Sequence, residues 1–108
     1  MTEYLPPHYL SIRRRFPDIV DQHEALAGAC YDAGPMDPKI RQLVKLGIAI
    51  GAGRQGAVAS HVRQALEAGA VRDEIEHAAL LAVPTVGFPA AAAALSWIDE
   101  VLEARSSD

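Results

Sequence analysis

Cysteine, aromatic residues and long apolar runs are all scarce in this sequence. A single cysteine, Cys30, occurs in 108 residues, so no internal disulfide can form and a disulfide-stapled secreted scaffold is excluded. We expect its thiol to be buried. Aromatic residues make up 6% of the chain. No stretch approaches the about 20 apolar residues that span a bilayer, and no apolar N-terminal run precedes a cleavage-like site. The sequence therefore predicts a soluble cytoplasmic protein with no membrane partner.

Basic residues are too few for a nucleic-acid interface. The 10 Lys and Arg residues are outnumbered by 14 Asp and Glu residues, which gives a net charge of −4. Binding to a phosphate backbone needs clustered cations. The run Arg13-Arg14-Arg15 is soon followed by Pro17-Asp18 and is typical of a solvated helix end. The sequence therefore predicts no nucleic-acid partner.

Apolar residues are what the sequence has in excess. Hydrophobic residues make up 50% of the chain and charged residues 22%. Alanines are grouped at 78–79 and 90–94, a pattern that favours close packing of helices. A monomer of this size buries about 65% of its surface on folding. We therefore expect an oligomer that hides further apolar surface.

The spacing of the apolar residues predicts an all-α protein with one domain overall. An N-terminal helical segment, 1–36, is predicted to hold two short helices that meet at Pro17 and to stop at Gly34-Pro35. A helical core follows over 37–105, and a polar tail over 106–108. Short connections make neighbouring helices antiparallel.

Turn and cap signals divide the predicted core into four helices. Asp37 is predicted to cap the first, whose only solvated side is marked by three basic residues, and the Gly51-Ala52-Gly53 connection leads to the second. Gly69, in the left-handed conformation, ends the second helix, and acidic residues open the third. Three breakers then precede the final helix. The basic residues are Lys39, Arg41 and Lys45, and the breakers are Pro84, Gly87 and Pro89.

His61 is the main candidate for chemistry, because it lies in an apolar helical stripe and is expected to point inward. Arg54, seven residues earlier, would lie on nearly the same face, about 10 Å along the axis. Gln42 falls level with His61 when the helices fold back at the glycines. We therefore expect Gln42 and His61 to be close enough for the amide to hydrogen-bond the imidazole.

Each of these residues also has a purely structural interpretation. His61 could be a core histidine satisfied by Gln42 or by a backbone carbonyl, and Arg54 could be a capping or surface residue. Gln42 does not titrate near neutral pH, so it could orient a partner but not shuttle a proton. The other histidines, His8, His23 and His77, lack the spacing of metal ligands, so no metal is predicted.

From Asp37 to Trp97 the sequence resembles the carboxymuconolactone decarboxylase family, which includes the AhpD-like alkylhydroperoxidases. The resemblance is carried by Arg41-Gln42-Leu43 and the residues up to 49, by Ser60-His61-Val62 and the residues up to 70, by 73–75 and by 87–90. It implies an AhpD-like bundle of antiparallel helix hairpins that assembles into trimers or hexamers, with small-molecule pockets near subunit boundaries.

The resemblance also separates two kinds of chemistry. The peroxidase branch uses a CxxC pair on the helix of the histidine and a glutamate on the preceding helix, but those positions hold Arg54, Ala57 and Gln42 here. Neither arginine nor alanine can attack a peroxide. The decarboxylase branch needs no cofactor or cysteine. There the Arg54 cation could hold a substrate carboxylate, and His61 could donate a proton.

The function predicted from the sequence is that of a cofactor-free lyase or isomerase acting on a small carboxylated lactone or a related acid. One alternative is a non-catalytic homo-oligomer that binds a small hydrophobic acid. A second, disfavoured alternative is an AhpD-like peroxidase that would use Cys30 with a thiol from a neighbouring subunit.

Overall fold

A computed structural model describes residues 6–106, which form seven helices and no strand, and the predicted all-α class is confirmed. The backbone divides into two compact units, residues 1–35 and 36–108. The predicted polar tail overlaps the last helix by one residue, and 107–108 lie outside the described residues. The helices are α1 (Pro7–Arg15), α2 (Pro17–Asp32), α3 (Pro38–Ala52), α4 (Gln55–Glu67), α5 (Arg72–Leu80), α6 (Val83–Val86) and α7 (Phe88–Ser106).

The first unit contains α1 and α2, which pack against each other and meet at Pro17 as predicted. The hydroxyl of Tyr9 donates to Oε1 of Glu24 at 2.6 Å across this pair of helices. Cys30 is exposed, so the predicted burial of its thiol is wrong. The apolar stripe of α2 that carries it is covered only in part: Val20 is buried, whereas Ile19 is 66% and Leu26 63% exposed.

In the second unit, α3 and α4 form an antiparallel hairpin. Asp37 caps α3 as predicted, since its Oδ1 atom accepts from the Ile40 N–H at 2.9 Å. The connection is shorter than the predicted Gly51-Ala52-Gly53, because Gly51 and Ala52 still belong to α3. Only Gly53 and Arg54 join the helices, and Gly53 has a φ of +70°, which favours glycine.

Of the three predicted breakers before the last helix, only Gly87 separates two helices. Gly69 has a φ of +100° and ends the α4 segment as predicted, and Gly87 has a φ of +109° between α6 and α7. Pro84 and Pro89 do not break helices; each lies in the first turn of one, where its missing N–H costs nothing. For this reason the prediction missed α6.

The core of the second unit lies between α3, α4, α5 and α7, and its largest fully buried side chains come from all four helices. They are Leu46, Ile50, Ile75, Ile98, Val58 and Val62. The three basic residues that were predicted to mark the solvated side of α3 are each partly exposed. Lys39, Arg41 and Lys45 are half-buried, whereas Val44 and Ile48 are exposed, because long basic side chains lay their methylene stems along the protein surface.

Across residues 6–106, every helix is too short or too polar to cross a membrane.

Candidate functional site

The α3–α4 hairpin brings Gln42 and His61 together, as the sequence predicted. Nδ1 of His61 lies 3.1 Å from Oε1 of Gln42. Because a carbonyl oxygen can only accept, Nδ1 donates this hydrogen bond, and Nε2 carries the lone pair of the neutral ring. Gln42 is buried, with 9% of its surface exposed, and His61 is half-buried.

The local sequence explains this placement. Gln42 shares one face of α3 with Leu46 and Ala49, which are both buried in the core. His61 shares its face of α4 with Val58 and Ala65, which are also buried. The tight reversal at Gly53 then sets the two polar side chains level, so that the buried amide is satisfied by the imidazole.

Burial and a nearby charge keep His61 neutral. Burial lowers the pKa of the His61 imidazole below its ordinary value of 6.5, and the positive charge of Lys45 lowers it further. Lys45 lies three residues after Gln42, one turn along α3. At neutral pH the ring is therefore an imidazole whose Nε2 can accept a proton.

Arg54 is not brought into contact with this pair. It is exposed, and it is the residue before α4, where its N–H donates to the Ala49 carbonyl at 3.1 Å. Its backbone is extended, with φ −99° and ψ 96°. The prediction that Arg54 shares a helix face with His61 assumed that the chain is helical from 54 to 61. Arg54 is extended and precedes the helix, so this assumption fails.

The second unit also has an apolar groove of about 260 Å³ that does not include the predicted site residues. Gly47 and Gly51 line it, and they lie about 140° and 180° around α3 from Gln42 at 100° per residue. Thr85 supplies its one side-chain hydroxyl, which donates to the Leu81 carbonyl at 2.7 Å. The other lining residues are Leu43, Val44, Ala78, Leu81, Ala82 and Val86. A carboxylate would meet no cation in this lining.

Lys45 is the functional candidate that the sequence reasoning missed. It was assigned to the solvated side of α3, yet it is half-buried, and its charge acts on His61. The spacing of three residues from Gln42 was the signal that could have placed it beside the imidazole. Within residues 6–106 no group of three or more His, Cys, Asp or Glu side chains could hold a metal ion.

Comparison with families of known proteins places most of the chain in one of them. Residues 17–100 match the Carboxymuconolactone decarboxylase family. This range begins in α2 and ends in α7, so it contains Gln42, Lys45, Arg54 and His61. A search of curated proteins found no match to the chain.

Proposed function

Because the chain belongs to the carboxymuconolactone decarboxylase family, we propose that it is a cofactor-free lyase or isomerase that acts on a small carboxylated lactone or a related acid. The reaction would form part of the breakdown of aromatic compounds, as the resemblance implies. We propose Nε2 of His61 as the atom that transfers the proton. The observation that carries this proposal is the hydrogen bond between Gln42 and His61.

The hydrogen bond supports a defined role for each nitrogen of the ring. Nδ1 is committed to Gln42, which fixes the orientation of the imidazole and directs Nε2 to a ligand. In the decarboxylation, the bond between the ring carbon and the carboxylate breaks and CO2 leaves. The electron pair enters the conjugated lactone, and the Nε2 proton of the imidazolium goes to carbon. The imidazole then regains a proton from water.

The lowered pKa of His61 determines how much of the protein can donate this proton at a given pH. A protonated His61 is a stronger acid than an ordinary imidazolium, but a smaller fraction of the free protein carries that proton at pH 7. Gln42 contributes only the orientation of the His61 ring, because its amide does not titrate near neutral pH. Arg54 remains a proposed cation for a substrate carboxylate, at the N-terminal end of α4.

An assay with γ-carboxymuconolactone tests the activity. We expect the purified protein to consume the lactone, with loss of its absorbance and release of CO2, and His61→Gln to lower kcat/KM by about 10²- to 10⁴-fold, the usual contribution of a general acid. His77→Gln is the matched control, because His77 is exposed on α5. Equal rates for His61→Gln and the wild type would remove His61 from the mechanism.

A non-catalytic oligomer that binds a small hydrophobic acid is the second candidate. It is favoured by the apolar groove of about 260 Å³, which offers an apolar surface without a titratable residue. If a hydrophobic acid binds with equal affinity to the wild type and to His61→Gln, and γ-carboxymuconolactone is not consumed, the protein is a binding module.

We also propose that the chain self-associates in the cytoplasm, as a trimer or hexamer. Apolar side chains on three successive turns of α3 support an assembly: Ile40 is 44% exposed, Val44 43% and Ile48 66%. Covering such a stripe with a second subunit removes apolar surface from water. A lone cysteine is typical of a reducing compartment.

A further inference from the structure

A second hydrogen bond between polar side chains lies on α4, the helix that carries His61. The Nε2 amide nitrogen of Gln64 donates to the hydroxyl oxygen of Ser60 at 2.9 Å, one turn away along the helix. Both residues are half-buried. The α3–α4 hairpin therefore holds two hydrogen-bonded pairs of neutral polar side chains, Gln42 with His61 and Gln64 with Ser60.

Gln64 lies on the same face of α4 as His61. The two residues are three positions apart within the helix, and side chains at this spacing are neighbours, with about 5–6 Å between their Cβ atoms. The hydrogen bond to Gln42 on α3 uses Nδ1 of His61 and leaves Nε2 for a ligand. A ligand that contacts the His61 ring is therefore within reach of the Gln64 amide.

The Gln64 amide has hydrogen-bonding capacity beyond its contact with Ser60. A glutamine amide carries two N–H donors on one nitrogen, and the hydrogen bond to Ser60 uses one of them. Because the amide is planar, fixing the direction of one N–H also fixes the direction of the other. A half-buried N–H held in this way is the kind of group that stabilises negative charge as it forms on an oxygen atom.

We propose that Gln64 donates a hydrogen bond to the carbonyl oxygen of the ligand beside His61, and that Ser60 positions the Gln64 amide. The role of this hydrogen bond in the reaction rests on the proposed function. When the bond to the departing carboxylate breaks, CO2 leaves and the electron pair moves through the conjugated lactone to its carbonyl oxygen, which becomes an enolate oxygen. The Gln64 N–H stabilises this charge and keeps its proton. The His61 imidazolium then gives its Nε2 proton to carbon, the electron pair returns from the oxygen, and the carbonyl is restored.

The proposed hydrogen bond favours an enolate over a neutral carbonyl. A donor directed at the oxygen that gains charge binds more strongly once the charge has formed. Tetronate is the stable enolate of a lactone, and γ-butyrolactone is a neutral lactone of the same ring size. We therefore expect the wild type to bind tetronate more tightly than γ-butyrolactone, and we expect the difference to depend on Gln64.

Variants of similar shape test the hydrogen bond in the reaction. Gln64→Met keeps the length of the side chain and removes the donor. We expect it to lower kcat for γ-carboxymuconolactone by about 10²- to 10³-fold with little change in KM, the usual result of removing one such donor. Gln64→Glu should lower kcat further, because its carboxylate repels the enolate oxygen. The pH dependence of kcat in Gln64→Met should keep its wild-type shape, since neither side chain titrates.

Ser60→Ala tests the positioning role. Gln64 then keeps its donor and loses its anchor, so kcat should fall by less than in Gln64→Met, and Ser60→Thr, which keeps a hydroxyl, should lie closer to the wild type. Adding Ser60→Ala to Gln64→Met should cause no further loss, because Ser60 acts through Gln64. Gln55→Met is the matched control: Gln55 is exposed at the start of α4, and its loss should leave kcat unchanged.

Tetronate binding, followed by NMR titration, gives a readout that needs no turnover. We expect Gln64→Met to bind tetronate about 10- to 100-fold more weakly than the wild type, the range for losing a hydrogen bond to a charged group, and to lose less affinity for γ-butyrolactone. The proposal is overturned if Gln64→Met, with a wild-type circular dichroism spectrum, binds tetronate like the wild type, or if Gln55→Met loses as much affinity. If Gln64→Met does not fold, Gln64→Glu decides by the same criterion.

The two proposals fail separately. If tetronate binding depends on Gln64 but γ-carboxymuconolactone is not consumed, the lyase is wrong and the Gln64 site stands. If the lactone is consumed and Gln64→Met retains the full kcat, the lyase stands and the role of Gln64 is wrong. If the wild type neither consumes the lactone nor binds tetronate, both are wrong.

Discussion

The imidazole of His61 donates a hydrogen bond from Nδ1 to Oε1 of Gln42 at 3.1 Å, across the two helices of one hairpin. A histidine held in this way has one nitrogen for the protein and one for a ligand. Because the partner is an amide and not a carboxylate, this hydrogen bond stabilises the positive ring less than an ion pair would. The charge of His61 therefore depends on its burial, which lowers its pKa most, and on the positive charge of Lys45, which lowers it further.

Changing Gln42 to glutamate should convert His61 into a more basic group. A carboxylate at this position would attract the imidazolium, so we expect Gln42→Glu to raise the pKa of His61. If His61 donates the proton, the pH above which kcat/KM declines should rise by the same amount. NMR titration and a pH–rate profile give the two values. Gln55→Glu is the control, since Gln55 is exposed at the start of α4 and should change neither. A profile in which kcat/KM increases through the pKa of His61 would show that His61 acts as a base.

The lowered pKa of His61 should make folding stability depend on pH. The folded protein binds this proton less readily than the unfolded chain, whose histidine titrates near 6.5. As the pH falls from above 6.5 through the lowered pKa, the unfolded state therefore gains the proton first and the free energy of unfolding decreases. Urea denaturation at pH 7.5 and at successively lower pH should show a larger decrease for the wild type than for His61→Gln. Identical decreases would mean that His61 is not coupled to folding.

The hairpin turn can be tested with two glycines of the same segment. Gly53 has a φ of +70°, so Gly53→Ala places a side chain in the left-handed region, and we expect a loss of about 1–2 kcal/mol in the free energy of unfolding. Gly47 lies within α3, and an added Cβ would meet nothing within 4 Å. Gly47→Ala should therefore stabilise the protein by about 0.5–1 kcal/mol. Chemical denaturation of both variants gives the two values. If both substitutions stabilise the protein, or both destabilise it, the assigned turn is contradicted.

Sequence reasoning was most successful where a local rule determines the structure. The cap at Asp37 and the positive φ at Gly69 follow from short-range chemistry, and the pairing of Gln42 with His61 follows from counting residues on both sides of a turn. It failed where one signal has two meanings. Pro84 was interpreted as a breaker, although proline also opens helices.

Two further errors concern the surroundings of a residue. Arg54 was placed on a helical face, but its extended backbone precedes the helix, and end residues are the least certain part of a helical pattern. Cys30 was expected to be buried, but it is exposed on a stripe that is covered only in part: Val20 is buried, whereas Leu26 is 63% exposed. A pattern shows which side of a helix is apolar, and it does not show which other element covers that side.

The exposed stripe of α3 gives the last prediction, which concerns assembly. Ile48 is 66% exposed, one turn after Val44 at 43%, and a charge placed there would be buried if a second subunit covers the stripe. We expect Ile48→Lys to reduce the mass of the assembly in sedimentation or light scattering while its circular dichroism spectrum stays that of the wild type. Val71→Lys is the control, because Val71 is 57% exposed before α5 and lies outside the stripe. If Ile48→Lys keeps the mass of the wild type and Val71→Lys loses it, the subunit contact lies at the start of α5 and not on α3.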